Sequence, residues 1–319
     1  MNAARKLAVT GTPLENHLGE LWSLFDCALP GLLGTESDFA RFYRAPIERH
    51  DDVQVRSRLH RRTAPFVLRR TKEQVAPELP LKSVIERRIE LGIEQRLLYE
   101  SRRSELKSRL GEAVQTQGFR GAQMLVLEAL LRLRQICCDP RLVGAEHVES
   151  AKLEVLMEML EELVGAGRRI LVYSQFTRML DLIQHELNAR AIAHARLDGA
   201  TRDRETPVAR FQSGDLPVFL ISLKAGGVGL NLTQADTVIH YDPWWNPAAE
   251  NQAADRAHRI GQDKPIFVYR LICAGTVEER VRALQARKAA LARGVLEGGT
   301  SQSLVLEPAD LEELLAPLA

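Results

Sequence analysis

The chain has 319 residues, is 45% hydrophobic and 27% charged, and so has the composition of a globular protein with one large or two small cores. Its formal net charge is only +1, so binding to nucleic acid would need a local basic surface. No apolar run approaches the roughly 20 residues that span a bilayer and no signal-peptide core is present, so we expect an intracellular protein without a membrane partner.

The four cysteines are Cys27, Cys137, Cys138 and Cys273. They show no C-x-x-C spacing and no histidine pair lies near them, so we expect reduced structural thiols and no metal site.

The amino-terminal pattern predicts a strand over Leu7–Val9, a turn at Thr10-Gly11-Thr12-Pro13 and a helix from Leu14 through Phe25. From residue 30 to residue 70 the pattern is irregular and helical. Its expected packing residues are Phe39, Phe42 and Tyr43.

A basic run occupies residues 56–72, which carry six arginines and one lysine without an acid. Arginine can bond a phosphate through two parallel hydrogen bonds, so this run suits a phosphate-contacting surface or a brace between domains. A solvated basic linker is the alternative.

Two long helical patterns follow, Gln95–Leu110 and Gln123–Cys137. Beyond residue 150 the pattern alternates between helices and short apolar strands. The predicted order is an amphipathic helix with Leu153, Leu156, Met157, Leu160 and Leu163 on one face, strand Ile170–Tyr173, helix Arg178–Ala189, strand Ala193–Leu197, helix Arg202–Phe211, strand Val218–Ile221 and strand Asp236–Tyr241. This alternation predicts an α/β fold with a mostly parallel sheet covered by helices on both faces.

Polar or glycine-rich loops follow four of these strands, and the carboxyl ends of parallel strands meet at one edge of a sheet. The loop after Val218–Ile221 contains Gly226, Gly227 and Gly229, which permit close approach to a ligand, although a plain turn is the alternative. A dinucleotide fingerprint is excluded because Leu232 stands where its third glycine would be. Further on, Gln252, Arg256 and Arg259 are spaced to share one face of a helix.

The run SLKAGGVGLNLTQADTVIHYDPWWNP, followed by NQAADRAHRIGQ, resembles motifs five and six of the Swi/Snf class of superfamily-two helicase-like ATPases. The resemblance extends from Leu7 to about Val295. It implies a RecA-like carboxyl-terminal helicase lobe at 151–293, a helical insertion and basic brace at 31–150, a remnant of the first lobe at 1–30, and a tail with a short amphipathic helix at 294–319.

The resemblance also implies site residues. Arg256 and Arg259 match paired arginine fingers, and Gln252 matches a residue that coordinates nucleotide or the attacking water. The positions that match ATP contacts are Gly227, Gly229 and Asn231. The positions that match DNA contacts are Ser174, Gln175, Thr177, Ser222, Lys224, Trp244, Arg69 and Arg70, although packing is an alternative role for Trp244. The coupling motif corresponds to Thr10, Gly11 and Thr12.

An ATPase of this class needs a phosphate-binding loop and an acidic pair for magnesium, and the sequence contains neither G-x-x-x-x-G-K-[ST] nor a DEAH-type Asp-Glu pair. We therefore expect the carboxyl-terminal half of an ATP-dependent double-stranded-DNA translocase. Its expected cofactor is ATP with Mg²⁺, the magnesium being held by a first RecA-like lobe in cis or in trans. Its expected partners are double-stranded DNA, that first lobe, and a DNA-bound protein or polymerase. The expected location is the cytoplasm, in association with the nucleoid, in a bacterium, or the nucleus in a eukaryote.

Two other functions stay open at this point. One is a non-enzymatic DNA-binding or partner-binding module in which the arginine pair is vestigial. The other is a sugar-nucleotide-dependent transferase lobe, because such enzymes also contain parallel-sheet lobes. Salt-dependent retention on duplex DNA would distinguish the transferase hypothesis from the helicase-like hypothesis.

Overall fold

A computed structural model describes residues 3, 5–10, 18–50, 52–68, 70, 72–223, 225, 230–244, 247–295 and 308–318. The chain divides into two compact units, one formed by Met1–Pro77 with Gln285–Val305 and the other by Glu78–Leu284 with Leu306–Ala319. Across the described ranges, none of the helices combines the length and apolar composition that a membrane crossing requires.

The first unit is helical. Its elements are α1 (Leu18–Ala28), α2 (Glu36–Phe39), a π-helical turn (Ala40–Arg44), α3 (Ala45–His50), α4 (Val53–Thr63), a 3-10 turn (Ala64–Phe66) and α5 (Lys72–Val75). Helix α4 starts where the Asp52 carboxylate accepts hydrogen bonds from the amides of Gln54 and Val55, at 2.9 and 3.0 Å. The buried core consists of Phe25, Leu33, Phe39, Tyr43, Ile47 and Leu59.

Two predictions for the first unit need correction. The predicted strand Leu7–Val9 is not a strand, because a strand needs a hydrogen-bonded neighbour and no strand in the described residues pairs with this segment. Leu7 and Val9 are instead 89% and 88% exposed. Phe42, predicted to pack, is half exposed, whereas Phe39 and Tyr43 are buried with ring centroids 5.5 Å apart. Of the predicted helix from Leu14, residues 14–17 lie outside the described part of the chain.

The second unit is α/β. Its elements are β1 (Lys82–Ile89), α6 (Ile93–Gly121), α7 (Gln123–Cys138), a 3-10 turn (Pro140–Val143), α8 (Ala151–Gly165), β2 (Ile170–Ser174), α9 (Thr177–Ala189), β3 (His194–Leu197), α10 (Glu205–Gln212), β4 (Val218–Ser222), β5 (Thr237–His240), α11 (Pro247–Ala254), β6 (Ile266–Cys273), the first part of α12 (Val277–Val295) and α13 (Pro308–Leu314). From Gln285 onward, α12 belongs to the first unit.

One six-stranded sheet has the order β1-β6-β5-β2-β4-β3, and its five described pairings are all parallel. Alternate residues of β2 face two different clusters: Ile170 and Val172 pack with α8 and α9, while Leu171 and Tyr173 pack with Phe211 of α10 and the end of α11. The predicted fold class, a parallel sheet covered by helices on both faces, is confirmed.

The sheet begins earlier in the chain than the predicted lobe boundary at residue 151. Strand β1 pairs with β6 in register from Lys82 with Ile266 to Ile89 with Cys273. Residues 83–88 of β1 are exposed on both faces, which is typical of a strand at the rim of a sheet. The assignment of domains to functional lobes stays a prediction.

Several helix boundaries differ from the prediction for identifiable reasons. Helix α6 extends beyond Leu110 to Gly121, with a break at Gly118, whose φ of 71° is left-handed. Helix α10 begins at Glu205 instead of Arg202 because the Asp203 carboxylate accepts the amides of Glu205 and Thr206, at 3.1 and 3.2 Å.

The tail contains the predicted short amphipathic helix, which is α13. Leu314 and Leu315 at its end are buried. The Arg103 Nη1 of α6 donates to the Leu315 carbonyl at 3.0 Å, and the Leu318 amide donates to Glu100 Oε1 at 2.7 Å. The tail helix therefore belongs to the packed structure of the second unit.

Candidate functional site

The loops after β2, β3, β4 and β5 lie at one edge of the sheet because these strands are parallel. The loop after β2 is bonded directly to the loop after β5. Ser174 Oγ donates to Asp242 Oδ1 at 2.6 Å, and the Gln175 amide lies 3.3 Å from the same carboxylate. Asp242 is fully buried, and this burial raises the pKa of its carboxyl above the ordinary value, although Arg134 and Ser174 oppose the shift.

The loop after β4 joins the same edge. The Leu223 amide donates to the Ser174 carbonyl at 3.1 Å, and Ser222 Oγ accepts the Ala225 amide at 3.3 Å. Of the predicted residues in this loop, Lys224, Gly227 and Gly229 lie outside the described part of the chain. Asn231 is described and exposed.

The two predicted arginine fingers converge on one backbone atom of that loop. Arg256 Nη1 and Arg259 Nη1 lie 3.4 and 3.5 Å from the Leu230 carbonyl oxygen. Arg256 is 6% exposed, whereas Arg259 is exposed. Within the described ranges neither guanidinium takes part in a salt bridge, and Arg256 Nε is buried without a hydrogen-bond partner. The pair is therefore a concentration of positive charge without a salt bridge in the described residues, although the Asp255 carboxylate acts to raise the pKa of Arg256.

Burial lowers the pKa of Arg256 below its ordinary value, and the neighbouring charge of Arg259 lowers it further, while Tyr173 opposes the shift. The cationic form of Arg256 is thus less favourable here than in water. A bound anion would reverse that effect, since it supplies the missing opposite charge.

The arginines reach this position by a different geometry from the predicted one. Helix α11 ends at Ala254, so Arg256 and Arg259 lie in successive turns and not on a helical face shared with Gln252. Gln252 is exposed on α11. The prediction of one continuous helix was wrong because the chain must turn here to meet the loop after β4, where the Leu232 amide donates to the Arg256 carbonyl at 3.0 Å.

Gln262 holds the arginine-bearing turns in place. Its Nε2 donates to the carbonyls of Thr233 and Ala235 at 2.9 and 2.8 Å, and to the Ala257 carbonyl at 3.2 Å. On the other side, His258 Nε2 lies 2.8 Å from the Pro80 carbonyl, just before β1. The segment is therefore fixed from both flanks.

The predicted DNA-contacting residues separate into buried and accessible groups. Ser174 and Ser222 are 0% and 3% exposed, and their hydroxyl oxygens take part in the internal bonds described above, so their contact with DNA stays a prediction. Their role in the structure is to hold the loops. Thr177 is exposed, and Gln175 and Trp244 are half-buried. Thr10 and Arg70 are exposed, whereas Gly11, Thr12 and Arg69 lie outside the described residues.

A buried polar cluster supports the tryptophan loop. Glu250 Oε1 accepts the Trp244 amide at 2.8 Å, and its Oε2 accepts Arg270 Nε at 2.9 Å. His240 lies in the same region, stacked on Tyr173 with ring centroids 5.7 Å apart. Burial lowers the pKa of His240 to about 4, with Arg270 lowering it and Glu250 raising it. The ring is therefore neutral near neutral pH.

Sequence reasoning missed two groups. Arg134 of α7 is 2% exposed and reaches the loops after β2 and β5, where its Nη1 donates to Gln175 Oε1 at 3.2 Å. Arg134 follows leucines in a helical pattern, and this pattern does not predict its contacts with the two loops. The second group is Cys137, Cys273 and Glu278, whose potential ligand atoms lie within 4.8 Å of one another. Glu278 is already paired with the buried ammonium of Lys152 at 2.5 Å, which does not favour a cation.

A parallel sheet covered by helices on both faces, with polar loops gathered at its carboxyl edge, is the architecture of RecA-like helicase lobes. Family models support this assignment: the chain matches the SNF2-related domain over residues 1–142 and the helicase conserved C-terminal domain over residues 151–261. The chain belongs to the SNF2-related family.

Three relatives illustrate the similarity. An uncharacterized ATP-dependent helicase of Mycoplasma pneumoniae is 40% identical over 285 residues, covering 88% of this chain and 27% of that protein. A putative ATP-dependent helicase/translocase of Bacillus subtilis is 37% identical, covering 97% of this chain and 34% of that protein. The Sulfolobus solfataricus SWI2/SNF2 ATPase core in complex with double-stranded DNA has 32% identity and a TM-score of 0.61, covering 96% of this chain and 65% of that one. The chain thus spans about a third or less of these two curated relatives.

Proposed function

We propose that this chain forms part of an ATP-dependent double-stranded-DNA translocase, in which it supplies a pair of arginine fingers and a DNA-contacting loop edge. The observation that carries the proposal is the convergence of Arg256 and Arg259 on the Leu230 carbonyl without a salt bridge among the described residues. Two like charges brought together in this way are stabilised by a polyanion, and a triphosphate is such a ligand.

Phosphoryl transfer spreads negative charge over the γ-phosphate oxygens, and an arginine from a second lobe stabilises that charge in the transition state. This increases the rate of phosphoryl transfer by about 10³- to 10⁵-fold. Arg256 and Arg259 are the groups of this chain suited to that role. Gln252, exposed on the preceding helix, is proposed to orient nucleotide or water. The glycine loop at 226–229 and Asn231 are proposed to lie near the ribose and phosphates.

The rest of the nucleotide site is proposed to come from a first RecA-like lobe. The sequence contains no G-x-x-x-x-G-K-[ST] loop to hold the β and γ phosphates and no DEAH-type acidic pair for Mg²⁺. Closure of the two lobes on ATP would be driven by contacts that exist only in the closed state, and the arginine pair would provide them.

DNA contact is proposed for the accessible part of the carboxyl edge and for the basic run. Thr177 and Gln175 can bond phosphate oxygens without reading bases, and Arg70 adds charge. The solved SWI2/SNF2 core of 32% identity is a complex with double-stranded DNA, which supports this partner. The chain belongs to the SNF2-related family, and no observation favours the alternative of a sugar-nucleotide-dependent transferase.

The test combines the 319-residue chain with a separate first lobe from the same family and measures phosphate release with and without duplex DNA. We expect release only from the mixture, stimulated by DNA, and a loss of about a thousandfold in Arg256→Lys or Arg259→Lys. Lysine keeps the charge but not the planar fork. Arg210→Lys, at an exposed position on α10, is the matched control and should behave as wild type.

Two results would count against the proposal. Phosphate release by the chain alone would show that no further lobe is needed. Duplex binding by the mixture without phosphate release would favour the non-enzymatic DNA-binding module.

A further inference from the structure

Arg134 is a buried arginine that belongs to the helical insertion yet ends at the candidate DNA edge. Its Nη1 donates to Gln175 Oε1 at 3.2 Å, in the loop after β2. Its Nη2 donates to the Pro243 carbonyl and lies 3.8 Å from Asp242 Oδ2, both in the loop after β5. One guanidinium therefore connects α7 with two loops that are far apart in sequence.

The Asp242 carboxylate completes this connection. It accepts Ser174 Oγ at 2.6 Å and the Gln175 amide at 3.3 Å, while facing Arg134. Arg134 and Asp242 are 2% and 0% exposed, so water does not compete for these bonds. Removing Arg134 would leave Asp242 as a buried carboxylate without this ion-pair partner.

Arg134 also sets the orientation of the Gln175 carboxamide. A guanidinium has donors only, so the side-chain oxygen of Gln175 must face it and the side-chain nitrogen must point elsewhere. Gln175 Nε2 is buried and has no hydrogen-bond partner among the described residues. The structure thus holds a hydrogen-bond donor without an acceptor, on a residue that is itself half-buried.

We propose that Arg134 is a positioning residue for the contact with duplex DNA. It holds the loops after β2 and β5 together, and it orients the Gln175 side-chain carboxamide so that Nε2 is the atom left to donate to a phosphate oxygen. Phosphate oxygens only accept hydrogen bonds, so they match this orientation and not the flipped one. The inference rests on the proposed DNA-contacting function of this edge.

Hydrogen exchange and DNA affinity of the full chain test the proposal. In Arg134→Lys we expect faster exchange at the amides of Gln175, Phe176 and Trp244, with unchanged exchange at Leu171 and Leu220 in the core strands. The dissociation constant for a short duplex should rise about tenfold. Arg132→Lys, an exposed arginine two residues earlier on α7, should match wild type in both measurements.

A second variant tests the orientation of the amide. Gln175→Glu keeps an acceptor for Arg134 but removes the donor, so duplex affinity should fall about tenfold while exchange at Trp244 stays at the wild-type level. A merely structural residue would not separate these two measurements.

The outcomes distinguish this inference from the proposed function. If wild type fails to bind duplex, the proposed function fails, and the exchange pattern alone decides whether Arg134 locks the loops. If wild type binds but Arg134→Lys behaves as Arg132→Lys does, the role of Arg134 is overturned. Faster exchange throughout the core strands of Arg134→Lys would also overturn it, because the arginine would then only support folding.

Discussion

Burial shifts the pKa values of two charged residues of the candidate site, Arg256 and Asp242, in opposite directions. Burial lowers the pKa of Arg256 and raises the pKa of Asp242, so both charged forms are less favourable than in water. Asp242 is compensated by Arg134, Ser174 and Gln175. Arg256 forms no salt bridge within the described residues and its Nε has no hydrogen-bond partner there, which leaves this charge better placed than Asp242 to meet a ligand.

His240 makes the stability of the second unit depend on pH. Its folded-state pKa is about 4, mainly because it is buried. An unfolded histidine titrates near pH 6.5, so between about pH 6.5 and 4 the unfolded chain binds a proton that the folded chain does not. Stability is therefore lost as the pH falls through this window, by about 3 kcal/mol at full extent.

The variant His240→Phe keeps a ring against Tyr173 but removes the titration. We expect the wild-type free energy of unfolding, measured in urea at several pH values, to fall more steeply with acid than that of His240→Phe. His185→Phe, at an exposed position on α9, should retain the wild-type slope. Parallel pH profiles for wild type and His240→Phe would show that folding does not lower the pKa of His240.

The residues of the site were predictable to different degrees. Arg256 and Arg259 were marked by their spacing and by the motif around them, and the structure does place them together at the sheet edge. Ser174 and Ser222 fit a motif, but a motif does not show whether a hydroxyl points inward or outward. Arg134 could not be predicted, because its partners Gln175 and Asp242 lie 41 and 108 residues away in sequence.

At the scale of elements, the Gln262 carboxamide is one of the two anchors of the turns from Asp255 to Gln262. Gln262 is 7% exposed and donates to three carbonyls. Gln262→Glu would replace those donors with an acceptor, which should cost about 1 to 3 kcal/mol and release the arginine-bearing turns. We expect faster exchange at the amides of Leu232 and Ala257.

Gln212→Glu is the matched control, since Gln212 Nε2 donates to the Asn231 carbonyl of the same loop at 2.9 Å but in a more exposed setting. Its effect on unfolding and exchange should be smaller. If Gln262→Glu leaves exchange at Leu232 and Ala257 unchanged, the anchor lies elsewhere, and His258 with Pro80 becomes the alternative.

The strands also show what sequence can and cannot reveal. Strands β2 and β4 are buried at all five residues, and their apolar runs with β-branched residues predict buried strands. Strand β6 has a similar apolar pattern from Ile266 to Cys273, so the sequence does indicate it, although it was not among the predicted strands. Strand β1 carries Lys82, Glu86, Arg87 and Arg88 at the rim, where exposure removes the apolar signal.

At the scale of the whole molecule, the near-zero net charge means that the proposed affinity for DNA would have to come from a few local contacts. Each phosphate neutralised should contribute about −0.9 to the slope of log affinity against log salt. Removing one phosphate contact with Arg70→Gln should reduce the magnitude of that slope by about one, as measured by fluorescence anisotropy on a labelled duplex. Arg210→Gln removes the same charge at a different surface and should leave the slope intact. An affinity that does not vary with salt would argue against phosphate contacts altogether.

The position of β1 at one rim of the sheet has a consequence for biosynthesis. Its neighbour β6 begins 184 residues after it, at Ile266 against Lys82, and no other strand of the described sheet pairs with it. A ribosome adding about 5 to 20 residues per second must therefore work for many seconds after β1 emerges before that neighbour exists. Val84 and Ile85 are exposed even in the folded structure, and charged side chains beside such residues are expected to oppose pairing with another copy during this interval.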